Sequence, residues 1–156
     1  MKAGLRAIRQ RAQTQVGVAA VEFALVSTIL FMLLFGVIEL GRMLWTWNAA
    51  VEATRLGARL AAVCSIDRSA NAPIKTRMRT MLPALTNANI VIDYMDPADA
   101  VSGTCTNDDC KAVRVKLIQF SHNAIIPFAP LSVNMPPFAT IVRKEFMDSS
   151  GNEVCP

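Results

Sequence analysis

A glutamate set inside an apolar stretch, four cysteines, one histidine and a short acidic run are the residues of this chain whose types could support chemistry. His122 stands between Ser121 and Asn123, but no nucleophile elbow or metal-ligand spacing accompanies it, so no catalytic group is assembled. A lone histidine near a strand end is expected at the surface or in a capping role. Asn107, Asp108 and Asp109 offer oxygen ligands but lack the spaced donors and the glycine of a calcium loop, and read as a turn. With one histidine and no CxxC pair, zinc has a poor ligand supply. The expectation is a protein with no catalytic, cofactor-binding or metal-binding residues, and not an enzyme.

That leaves the glutamate. Between Phe23 and Ile38 no side chain is charged, and from Val16 to Ile38 the only charge is Glu22. A helix rises about 1.5 Å per residue, so this nearly uncharged run inside the stretch Gly17 to Trp47 matches a hydrocarbon core of roughly 30 Å. The stretch reads as a membrane-spanning helix, ending in Trp45 and Trp47 as interfacial anchors. A cleaved secretory signal would be shorter and would end in small residues. A lipoprotein site at Leu60 to Cys64 fails because Val63 is bulky and lies far past the apolar run. A carboxylate at Glu22 costs several kcal/mol in hydrocarbon unless it snorkels or finds a partner.

Charge sets the topology. Of 16 Lys and Arg, four (Lys2, Arg6, Arg9, Arg11) precede Gly17 with no acid among them, and the other 12 balance the 12 Asp and Glu. The basic excess beside the apolar run is a positive-inside signal that puts the N-terminus in the cytoplasm. No basic or aromatic patch elsewhere supports nucleic-acid binding. Everything after Trp47 is then exported, including Cys64, Cys105, Cys110 and Cys155. An even count confined to that side predicts two disulfides in an oxidising compartment. Three pairings are open; the short Cys105 to Cys110 spacing favours a local bond, with Cys64 to Cys155 following by elimination.

The elements that carry these residues follow from pattern. Residues 48 to 63 continue the helix, with Glu52, Arg55 and Arg59 on one stripe and Ala49, Ala53, Gly57 and Ala61 forming a smooth ridge. Gly57 costs about 1 kcal/mol relative to alanine, which points to a close approach there, by the chain's own sheet or by a neighbouring helix. Ile74 to Leu82 reads as a short helix stopped by Pro83, and Asn89 to Met95, Ala112 to Phe120 and Phe138 to Met147 read as strands. Asp96 to Cys110 is a loop. Residues 122 to 137 carry four prolines and wrap an apolar surface rather than forming a central strand. The expected fold is α+β, a long helix packed by a short helix and a small antiparallel sheet.

Two segments carry a family resemblance. Gly17, then four uncharged residues, Glu22 and Phe23, behind a basic leader, resemble the processing site of the type IV pilin class. VEFALV, FGVIELGR with Glu39 and Arg42, and NAAVEATRLGARLAAV resemble the TadE family of minor pilins or pseudopilins of tight-adherence, Flp-type pilus systems; the likeness covers about a third of the chain. It implies a pilin-like fold, divided into a leader (1–17), a transmembrane helix (18–47) and an exported domain (48–156). It implies cleavage after Gly17 by a prepilin peptidase, with Gly17, Val18, Glu22 and Phe23 as the processing site. Its implied setting is the bacterial inner membrane, single pass, with the C-terminal domain periplasmic and possible incorporation into a pilus. The implied partners are the membrane, the peptidase, other pilin or pseudopilin subunits and the assembly platform, with no nucleic acid and no cofactor. Glycine at 17 gives a peptidase close access to the backbone. Cutting there would create an ammonium on Val18, for which Glu22 is an assembly partner, in its own chain or a neighbour's. The alternatives are an uncleaved inner-membrane scaffold and an exported binding module on a membrane anchor.

Overall fold

The computed structural model describes residues 2–69, 72–98, 100–126, 131–153 and 155, with side chains from residue 17 onward, so the four leader charges lie outside the described side chains. Its elements are α1 (Lys2–Val63), α2 (Pro73–Met81), a 3-10 turn (Asn87–Asn89), β1 (Ile90–Met95), β2 (Ala112–Leu117), β3 (Ser121–Asn123), β4 (Ser132–Asn134) and β5 (Ala139–Arg143). Contacts divide the chain into two units, Met1–Gly41 and Arg42–Pro156.

The described side chains of the first unit are those of α1 alone. Val18, Phe23, Ile29, Met32 and Val37 are all exposed, so the apolar surface runs round the helix rather than along one stripe. Such a surface has no place in water and calls for lipid or other apolar helices. Thr28 satisfies its own hydroxyl, which donates to the Ala24 carbonyl at 2.7 Å.

In the second unit a three-stranded antiparallel sheet of order β1-β2-β5 is built on the last turns of α1. Period-2 alternation places Val113, Val115 and Leu117 in the core and Arg114 and Lys116 on the other face. The register sets Asp93 opposite Arg114, and the Asp93 carboxylate accepts from Arg114 at 2.8 Å and pairs with Lys116 at 3.0 Å. Burial pushes this carboxyl up, but the hydrogen bonds from Arg114 and Lys116, with their charges, outweigh it and hold it below the usual aspartate range. α2 starts with Pro73, whose fixed φ suits a first helical turn, and ends at Leu82, before Pro83. The core joins Ala50, Ala53, Ala58 and Ala61 of α1 to Ile74 and Met78 of α2, Tyr94 of β1 and the inner β2 residues.

Two strands are shorter than their composition indicates. β2 stops at Leu117 because Gln119 takes a φ of 50°, and β5 stops at Arg143, beyond which Met147 turns with a φ of 48° and buries completely. The proline-rich stretch holds a hairpin that its composition hides: β3 and β4 pair antiparallel with His122 opposite Val133. His122 is therefore buried, against the expectation of a surface position, because alternation along β3 turns it inward while Asn123 stays exposed. Residues 127–130 of this stretch, including two of its four prolines, lie outside the described residues.

The smooth face of α1 serves its own domain. A Cβ built on Gly57 would collide with Met78 Sδ and meet Met78 Cγ at 3.1 Å, and Met78 is fully buried. Gly57→Ala gains about 1 kcal/mol of helix propensity, against roughly 1–3 kcal/mol for overpacking. The expected result is a net loss in wild type, reversing to neutral or stabilising in a Met78→Ala background. Denaturant unfolding of the four proteins of this cycle is the check, and stabilisation by Gly57→Ala in wild type would show that Met78 yields without cost.

Candidate processing and assembly segment

Gly17, Val18, Glu22 and Phe23 all lie on α1, and all four are exposed, Phe23 at 74%. Val18 and Glu22 are four residues apart and so share one helical face. No ion pair to Glu22 is formed among the described residues. A Cβ on Gly17 would meet nothing within 4 Å. Glycine at 57 is thus explained by packing, whereas glycine at 17 answers no steric demand of the fold. The whole segment belongs to the stretch Gly17–Val63, which is long and apolar enough to cross a membrane. Farther along α1, Glu52 and Arg55 pair at 2.7 Å on the exposed stripe.

The four cysteines lie around the C-terminal end of α1. Cys64 is bonded to Cys155 and Cys105 to Cys110, with Cα separations of 5.5 and 5.2 Å. The last carbonyls of a helix have no partner within it. Here the C-terminal segment supplies them: Glu145 N–H donates to the Ala62 carbonyl at 3.0 Å and Asp148 N–H to that of Val63 at 2.9 Å. Ser65 and Ser149 exchange backbone N–H to hydroxyl hydrogen bonds, both 3.0 Å. The Cys105 to Cys110 loop joins the same end, as Ile66 N–H donates to Asn107 Oδ1 and the Arg68 guanidinium donates to the Cys105 carbonyl while lying 5.3 Å from the Tyr94 ring centre. Lys144 Nζ donates to the carbonyls of Asn107 and Asp108. Within the loop the Thr106 hydroxyl and N–H hold the Asp109 carboxyl below its usual range. Asn107, Asp108 and Asp109 thus build a tied-down turn, and among the described residues no group of three or more metal-ligating side chains comes together. Sequence reading did not anticipate the capping role of Glu145 and Asp148, because backbone donors leave no signature in residue type.

Among the described residues, one N-terminal apolar helix long enough to cross a membrane, followed by a small α+β domain with two disulfides, fits a single-pass membrane protein. Residues 17–59 match the family described as TadE-like protein, which is consistent with a TadE-like protein of the tight-adherence pilus system. No curated protein and no solved structure matches the chain.

The two disulfides differ in what they hold. Cys64 to Cys155 closes 91 residues and Cys105 to Cys110 closes five, and in the chain-entropy picture the longer loop contributes about 4–5 kcal/mol and the shorter about 2 kcal/mol. The Cys64→Ser/Cys155→Ser variant is expected to lower the denaturant midpoint of the detergent-solubilised protein more than Cys105→Ser/Cys110→Ser. It should also speed hydrogen exchange at Glu145 and Asp148. Equal losses and unchanged exchange would remove the tail from the helix-capping role.

Proposed function

We propose that the protein is a membrane-anchored minor pilin or pseudopilin that takes part in assembling a Flp-type, tight-adherence pilus after a prepilin peptidase cuts between Gly17 and Val18. The observation that carries this reading is the exposed Glu22, with no ion pair among the described residues, one helical turn from Val18 at the start of an apolar helix inside the matched segment. Charge in hydrocarbon is expensive when unpaired, so a carboxylate there has a strong drive toward an ammonium. Cleavage supplies that ammonium at Val18, and packing of subunits brings a neighbour's within reach. Gly17, which the fold does not need, is what a peptidase approaching the backbone requires. On this reading the N-terminus is cytoplasmic, and the second unit is periplasmic, where its disulfides form.

The test is the mass and N-terminal residue of the protein purified from its own cell's membranes. Val18 is expected, with Gly17 replaced by a bulky residue leaving the longer precursor. Retention of Met1 or Lys2 in both proteins would instead favour the uncleaved scaffold. A second expectation concerns Glu22→Gln, which keeps size and removes charge. Membrane insertion and cleavage should persist while crosslinking to pilus subunits and fibre yield fall about tenfold, the equivalent of roughly 1.4 kcal/mol of lost subunit association. Normal fibres from a processed Glu22→Gln protein would separate Glu22 from assembly.

A further inference from the structure

The α+β head formed by the second unit carries one large apolar side chain for which its own core has no place. Phe146 is 84% exposed, and among the described large apolar side chains none is more so. Its backbone is nevertheless held. Glu145 N–H donates to the Ala62 carbonyl on one side and Asp148 N–H to the Val63 carbonyl on the other, and between them Met147 is fully buried with a φ of 48°. A residue with a Cβ adopts that backbone region only where its surroundings impose it. Burial of Met147 in the core and the two bonds to the end of α1 impose it here, and the same turn leaves Phe146 outside. An aromatic ring on a backbone fixed in this way loses little freedom on contact, which is the character of an interface anchor.

The head also has a groove that its own side chains leave open. Leu56 and Leu60 on α1, Arg77, Thr80 and Met81 on α2, and Glu153 line an open volume of about 510 Å³. That lies within the roughly 300–1,000 Å³ of binding clefts and admits an aromatic ring with its neighbours. Met81 is 42% exposed there. The Thr80 hydroxyl donates to the Arg77 carbonyl at 2.7 Å, so an apolar guest would orphan no hydroxyl. Charge matches the two features. The exposed Arg143 and Glu145 precede the ring, and Arg77 and Glu153 stand at the groove. None of these four forms an ion pair among the described residues. A knob with an acid and a base beside it thus faces, on another copy of the same surface, a groove with a base and an acid at its rim.

We infer that Phe146 of one copy seats in the groove between α1 and α2 of a second copy, with Glu145 meeting Arg77 of the partner subunit and Arg143 meeting Glu153 of the partner subunit. Knob and groove are different patches, so the contact is heterologous. Each copy keeps one of the two unused, and the contact can repeat along a row of copies. The inference goes beyond the assembly reading and holds whether or not the chain is cut at Gly17.

The experiment uses the full chain, disulfides intact, in lipid vesicles. The photoreactive analogue benzoylphenylalanine replaces Phe146 in an ordinary-isotope chain, which is mixed with a heavy-isotope chain, and crosslinked peptides are mapped after irradiation. Mixed-isotope crosslinks from position 146 to the segments Leu56–Leu60 and Arg77–Met81 are expected. Met81→Arg in the heavy chain, a change at an exposed position, should cut their yield about tenfold, as for a residue at the centre of a contact. Glu145→Arg, which leaves the backbone bond to Ala62 in place, and Arg77→Glu should each lower the yield about threefold, as for an exposed ion pair, and together in one chain restore it. A folding defect would not be repaired by the second reversal. Crosslinks that map elsewhere on the second copy, absence of mixed-isotope crosslinks, or a double reversal no better than either single change would overturn the contact, while the N-terminal residue that tests cleavage is read separately.

Discussion

The second unit depends on a helix face that has almost no side chains. From Ala50 to Ala62, α1 buries alanine, glycine and one threonine in the core, with Leu60 the one large buried residue and Val51 and Leu56 half-buried beside it. Because the helix surface is smooth, the bulk of the core comes from the partners, Met78, Leu82, Leu85 and the inner residues of β2, and Met78 reaches the backbone itself at Gly57. Dispersion falls steeply with distance, so close approach of this kind substitutes for the large residues that a helix usually contributes. Thr54 adds direction to an otherwise featureless surface, its hydroxyl meeting that of Thr140 on β5 at 3.1 Å. The same economy of bulk would be useless in the first unit, where α1 needs apolar mass on every side, and there Leu, Phe, Ile and Val replace alanine. One helix thus carries two incompatible packing programmes in series.

Residue type announces both programmes, which is why the helix, the small antiparallel sheet and the α+β class are legible in the sequence. Alternation in Val113 to Leu117 and the uncharged run after Glu22 are strong signals of period and length. The paired hairpin at Ser121–Asn123 and Ser132–Asn134 is not legible, because three-residue strands offer too few positions for alternation and the prolines between them speak for a loop. Strand ends are lost where a non-glycine residue takes a positive φ, as at Gln119 and Met147, since side-chain identity barely encodes it. Of the candidate processing and assembly segment, the spacing of Gly17, Glu22 and Phe23 is visible in the sequence. That Gly17 faces open space while Gly57 faces Met78 is not, because two helical glycines look alike until their neighbours are placed.

Charge arranges the second unit along its length. The Asp93, Arg114 and Lys116 cluster lies on the outer face of the sheet, where it fixes the β1–β2 register without burying an unpaired ion. The acidic and basic groups around Cys105 and Cys110 tie a polar loop to the residues that follow α1.

The carbonyls of Ala62 and Val63 wait for donors at Glu145 and Asp148, and Cys64 waits for a thiol 91 residues downstream. At synthesis rates of about 5–20 residues per second the interval is roughly 5–20 s. Within that time β1 and then β2 are made, while β5 and the cap on the helix come only near its end. Closure of the head is therefore a late event in the life of the nascent chain. Any partner that reads the finished surface is offered a clock as well as a shape, because a subunit still emerging presents an open helix end and only a complete one presents a sealed head.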